Sequence, residues 1–123
     1  VGGTAEQHYI NGITSSMTEW GVSAADLATY LASDKVAFAT APGTDKEKIA
    51  NQFWISMYNR GFEGWTVYRI FDSPVLQNSG TLDLPVLKRY TYPQSEATIN
   101  GANVDAANGG VDTQQSLIFW DLQ

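Results

Sequence analysis

Residues 51–74, NQFWISMYNRGFEGWTVYRIFDSP, decide how this chain folds. Phe53, Trp54, Tyr58, Phe62, Trp65, Tyr68 and Phe71 crowd around Gly61, and Arg60 and Arg69 stand on either side of Trp65. Read at 100° per residue, Ile49, Ala50, Phe53, Trp54, Met57 and Tyr58 sweep half the circumference of a helix over about 44–60, with Ile55 outside the arc. That width predicts a deeply buried helix. Gly61 suits a left-handed cap after it. A further helix to about Asp72 then carries Phe62, Trp65, Val67, Tyr68, Ile70 and Phe71 on all sides, and aromatics at helical spacing are read first as core.

Upstream, three segments share one opening: a hydroxyl residue followed three positions later by an acid or amide. They are Thr4 with Gln7, Ser23 with Asp26 and Thr44 with Glu47. In such a capping box the first side chain accepts from an orphan N–H of the first turn, and the fourth reaches back to the first residue's N–H. The first helix, about 4–20, stacks Tyr9, Ile13, Met17 and Trp20 on one face, and Gly21 stops it. Gly12 weakens that helix by roughly 1 kcal/mol relative to alanine, which suggests a close helix crossing there. The second helix, about 23–33, buries Leu27, Tyr30 and Leu31.

Downstream of Pro74 the punctuation changes. Pro74, Pro85 and Pro93, with Gly80, Gly101, Gly109 and Gly110, leave room only for short segments. The expectation is an irregular, extended tail over 73–123, packed on the helices of 1–72, with one short helix near 102–107. The closing run SLIFWDL is expected to dock as a strand or extended arm.

With 123 residues, one domain is the working expectation. Thirteen acidic residues against seven basic ones give a net charge of −6, which repels phosphate backbones, so no nucleic-acid partner is expected. The absence of cysteine and the single histidine, His8, exclude thiolate metal sites, disulfides and the usual Cys-His dyads. No catalytic residue, metal or cofactor is assigned. Val1-Gly2-Gly3 shows neither an initiator methionine nor the pattern of a signal peptide, so an internal start within a longer polypeptide is expected.

Three features could carry chemistry. His8 has no second ligand candidate at i+4 and reads as a surface or packed residue. Glu63 and Asp72 could be a carboxylate pair of the glycosidase type, although nothing places them across a cleft. NVDAANGGVD, residues 103–112, offers oxygen ligands without the alternating spacing of a calcium loop and reads as a surface turn. Arg69 is more informative. It follows Trp65 by four residues, a spacing that lets the guanidinium stack on the indole.

At these residues the sequence resembles the C-terminal portion of the SusD/RagB family of outer-membrane nutrient-binding lipoproteins. The resemblance is carried by KIANQFWISMYNRGFEGWTVYRIFDSPVL and by LPVLKRYTYPQSEATINGANVDAA, with YINGITSSMTEWGVSAADLATYL similar to the preceding helix pair. Its most specific positions are Lys48, Ile49, Gln52 and Trp54, then Gly61, Glu63, Trp65 and Arg69, then Tyr92, Pro93, Glu96, Asn100 and Asn103. Of the family's Arg-Arg-Thr-Gly-Tyr-Pro run, only Arg69 and Pro74 are kept.

The resemblance implies a mainly α fold, with tetratricopeptide-related helix pairs and an irregular remainder. It implies a protein of the cell surface, held in the outer membrane by an N-terminal lipid that this chain does not carry. Such a protein is not an enzyme: it captures oligosaccharides, or peptides in the RagB branch, and passes them to a TonB-dependent transporter. Gln52, Trp54, Gly61, Glu63, Trp65, Arg69, Tyr92, Pro93, Asn100 and Asn103 are expected to be structural signature residues, and no ligand-binding residue is assigned. If the chain is about a quarter of a family-sized protein, its third and fourth helices should leave an apolar patch uncovered. Two readings from other classes stay open: a small hydrolase using Glu63 or Asp72, and a helical protein-interaction module.

Overall fold

The computed structural model describes residues 2–78, 80 and 84–121. The expectations for Val1 and Leu122 lie outside the described residues. Six helices follow in order: α1 Ala5–Glu19, α2 Ala24–Leu31, α3 Asp45–Ser56, α4 Gly61–Phe71, α5 Gln94–Ile99 and α6 Gly101–Asn108. No strand occurs among the described residues, and the mainly α fold expected from the sequence is the fold observed. The chain divides into two compact units, Val1–Val75 and Leu76–Gln123. Among the described residues no helix is long and apolar enough to cross a membrane.

Local chemistry starts the first three helices where the sequence placed them. Thr4 and Gln7 form a full capping box, as do Thr44 and Glu47. At α2 the Ser23 hydroxyl accepts from Asp26 N–H at 3.1 Å and donates to the Asp26 carboxylate at 2.7 Å. This bond replaces the reach back to the cap N–H, because aspartate is one methylene shorter than glutamate. α1 ends in a Schellman motif: Gly21 has φ 72°, its N–H donates to Thr18 O, and Val22 N–H donates to Met17 O.

The Glu47 carboxyl is held below its usual range, first by the Thr44 backbone N–H and then by the Thr44 hydroxyl. A lowered folded-state value means that this contribution is present above the ordinary glutamate range and is lost as the pH falls through the lowered one. Thr44→Ala is expected to reduce stability by about 1 kcal/mol, with the loss seen as a lower urea midpoint at neutral pH.

The core of the first unit is Tyr9, Ile13 and Val36, with Met17, Leu27, Tyr30, Leu31, Phe38 and Ile49 packed against it. Tyr9 is fixed at both ends: its hydroxyl donates to Val36 O at 2.7 Å, and its ring meets Phe38 at 5.2 Å. Lys48 closes the loop between α2 and α3, donating to Phe38 O at 2.9 Å with its ammonium 5.1 Å from the Phe38 ring. α4 packs beside α3 through an edge-to-face contact of Phe71 with Phe53, and buried Ser73 donates to Asn51 at 2.9 Å.

Several expectations need correction. The left-handed residue after α3 is Asn59, φ 67°, and Gly61 is the first residue of α4. Asparagine tolerates that region because its short polar side chain bonds locally. Trp20 leaves the α1 core face and is 57% exposed, since it sits at the C-cap beyond the last full turn. The close helix crossing expected at Gly12 is absent: a Cβ placed there meets nothing within 4 Å.

Nor are α3 and α4 deeply buried. Ala50 is the buried residue of α3, whereas Tyr58 and Phe62 are 71% and 74% exposed. Phe53, Ile55 and Ile70 of this pair are exposed as well, at 43%, 52% and 44%.

The second unit is more helical than an extended tail. Pro93 stands at the N-cap of α5 with φ −59°, a geometry proline favours, and Asn100 serves as the C-cap of α5 and the N-cap of α6. Gly109, φ 66°, ends α6. No strand forms over residues 116–121; of the two forms expected there, strand or extended arm, the segment is irregular, with turns closed by Ser116 N–H donating to Thr113 O and Asp121 N–H to Ile118 O.

Candidate functional site

Between α1 and α3, with Tyr30 of α2 at one side, lies an open groove of about 420 Å³. Tyr9, Ile13, Met17, Ile49, Phe53 and Ile55 make it apolar, and Gly12 and Ser16 on α1 face Ser56 on α3 as small residues. Its polar contacts are few. The Tyr30 hydroxyl donates to Gln52 Oε1 at 2.9 Å, which holds that amide against the wall. Burial, then the neighbouring Tyr30 phenol, push the Tyr9 hydroxyl above its usual value, with the Gln52 amide acting in the opposite sense. A neutral, weakly polar trough of this kind suits apolar partners rather than charge recognition.

A second hollow, about 370 Å³, is lined by Trp54, Tyr58, Trp65 and Arg60, with Gly61 and Gly64 in its wall. Trp65 also takes the contact expected of it: the Arg69 guanidinium carbon lies 3.9 Å from the ring centre, and Arg69 is buried. Gln52 and Trp54 therefore line concavities, while Trp65 and Arg69 form a stacked pair on α4. Glu63 lies exposed in the first turn of α4 and Asp72 at its C-cap. Nine residues apart on one helix, they are separated by roughly 13 Å of helix rise and do not form a carboxylate pair.

The residue that sequence reasoning missed is Arg89. Its Nε donates to Tyr90 O at 2.8 Å and its Nη1 to Asn108 Oδ1 at 2.8 Å. Nη2 lies 2.9 Å from Asp112 Oδ1, an ion-pair contact without aligned hydrogen-bond geometry. The guanidinium also covers the Tyr92 ring at 4.6 Å, and Tyr92 N–H donates to Asp112 Oδ2 at 2.7 Å. This one side chain ties the loop before α5 to the end of α6 and the turn beyond it. Asn103 donates to Asn100, and Asn100 to Glu96 at 3.3 Å, linking α5 to α6.

Asp112, from the segment considered for calcium, is thus engaged by Arg89 and Tyr92. Among the described residues no group of three or more His, Asp or Glu side chains could hold a metal ion. His8 lies at the mouth of the α1–α3 groove.

Residues 1–93 match the family model SusD-like_2, described as starch-binding and associating with the outer membrane. The whole chain superposes on a SusD-like structure from Bacteroidetes AC2a with a TM-score of 0.78 and 25% identity, covering 27% of that chain. It superposes equally completely on a chitin-binding protein with a TM-score of 0.73 and 25% identity, covering 29% of it. The chain therefore spans little more than a quarter of the length of these solved structures. No curated protein matches it. The chain belongs to the SusD-like family.

Proposed function

We propose that this chain is part of a cell-surface lipoprotein that captures oligosaccharides and delivers them to a TonB-dependent transporter of the outer membrane. The observation that carries this reading is the family match over residues 1–93, whose description joins starch binding to the outer membrane. The superposition on a chitin-binding protein supports the same ligand class. A net charge of −6 and the absence of a basic stripe also fit a neutral ligand better than a phosphate-bearing one.

The work of such a protein is binding and handover, so no catalytic residue is assigned. Gln52, Trp54, Gly61, Glu63, Trp65, Arg69, Tyr92, Pro93, Asn100 and Asn103 hold the framework in this reading. The Trp65–Arg69 stack and the Asn103–Asn100 bond support that role. A family-length polypeptide carrying this chain should be retarded in native electrophoresis through gels containing soluble starch or glycol-chitin. Migration unaffected by either polysaccharide, with binding to a peptide pool instead, would replace the oligosaccharide by a peptide ligand.

A further inference from the structure

Trp54 of α3 stands in the wall of two hollows at once. One is the hollow of Tyr58, Trp65 and Arg60. The other, about 420 Å³, lies between the turn after α2 and Pro74, where Lys35, Ser33 and Tyr30 meet Asn51 and Gln52 of α3. Their charge runs against the composition of the chain. Thirteen acidic residues outnumber seven basic ones overall, yet each hollow is lined by one cation, Lys35 or Arg60, and by no carboxylate. Both cations are exposed, and neither side chain makes a hydrogen bond or ion pair among the described residues.

The neutral groups beside Lys35 are already oriented. The Ser73 hydroxyl donates to Asn51 Oδ1 at 2.9 Å, so the amide end left to a ligand is the NH₂ donor. The Tyr30 hydroxyl donates to Gln52 Oε1 at 2.9 Å, which leaves the phenol oxygen as an acceptor. A cation and an amide donor suit a carboxylate, a phenol oxygen suits a hydroxyl, and an indole suits the apolar face of a ring. These groups occur together on an acidic sugar. From Asn51 to Tyr58 the helix rises roughly 10 Å, so a ligand touching both hollows extends beyond one ring. The net charge of −6 repels densely charged polymers, which limits the ligand to sparse carboxylates.

We propose that the surface Lys35–Trp54–Arg60 binds uronate residues of an acidic oligosaccharide, their carboxylates against Lys35 and Arg60 and a ring against Trp54. The proposal rests on the oligosaccharide reading and deepens it. Neutral residues of the same saccharide are left to the rest of the family-length polypeptide.

The test is native electrophoresis of the family-length polypeptide through gels containing glucuronoxylan or a low-charge pectin, each compared with its carboxyl-reduced form. At least one acidic polysaccharide should retard the protein several-fold more than its reduced form does. The double variant Lys35→Gln, Arg60→Gln should lose that difference while melting with the parent, since both side chains are exposed. Lys46→Gln, an equal charge change at an exposed position in the first turn of α3, should keep it. Equal retardation by the acidic and reduced forms of both polysaccharides would overturn the proposal, as would a difference that survives in the double variant or disappears in Lys46→Gln. Displacement by poly-glutamate as readily as by oligogalacturonate would overturn it in favour of an acidic peptide. Gels containing soluble starch or glycol-chitin separate the two readings: retardation there without any preference for the acidic forms sinks this proposal alone, and retardation by no polysaccharide sinks oligosaccharide capture with it.

Discussion

Replacing Arg89 by alanine is expected to cost the second unit about 3–5 kcal/mol, the range found when one partner of a buried ion pair is removed. The side chain is 10% exposed and serves Tyr90 O, Asn108, Asp112 and the Tyr92 ring together. Its loss takes the ion-pair partner from Asp112, which keeps the Tyr92 N–H, and removes a donor from both Asn108 and Tyr90 O. Arg89→Lys should recover little, since an ammonium is a point charge and cannot reproduce two directed hydrogen bonds and an ion pair together with ring stacking. Urea denaturation followed by circular dichroism would check this. A midpoint equal to the parent's for Arg89→Ala would show that the loop before α5 and the end of α6 are held together by other means.

Removal of Arg69 is expected to have the next largest effect, about 2–4 kcal/mol. At 3.9 Å from the Trp65 ring and buried, its guanidinium is desolvated, where cation–π attraction reaches about 2 kcal/mol or more. Arg69→Ala loses that attraction and opens a hole beside the indole, so it should also shift Trp65 emission to the red. An unchanged denaturation midpoint with unchanged emission would mean that the stack contributes nothing to the folded state.

These two arginines mark how far the sequence could be read. Trp65 and Arg69 are four residues apart on one helix, and local periodicity alone brings them together. Arg89 meets partners 19 and 23 positions away, across two short helices with no periodic signal, and no local rule joins them. The helix starts divide in the same way. Thr4, Ser23 and Thr44 announce α1, α2 and α3 because side-chain caps are written in the sequence. α4 and α5 follow the N-caps Arg60 and Pro93, which make no side-chain cap bond, and no expectation covers α5.

Burial was the least legible property. The arcs of α3 and α4 show which faces are apolar, but covering them depends on surfaces that the local sequence does not name. Gly12 illustrates the limit. Its cost within α1 suggests a close helix crossing, and the structure contradicts that: a Cβ at Gly12 meets nothing within 4 Å. The family motifs, by contrast, were read from residue identity rather than from physics, and they led to the family that the match over residues 1–93 establishes.

The most direct measurement is titration calorimetry of two samples, residues 1–123 and the family-length polypeptide that carries them, each with malto- and chito-oligosaccharides. The account predicts measurable binding of at least one series by the longer polypeptide and none tighter than about millimolar by the shorter. Micromolar binding by residues 1–123 alone would place a ligand site on exposed aromatics of this chain such as Tyr90 and Tyr92, and no binding of either series by the longer polypeptide would contradict oligosaccharide capture itself.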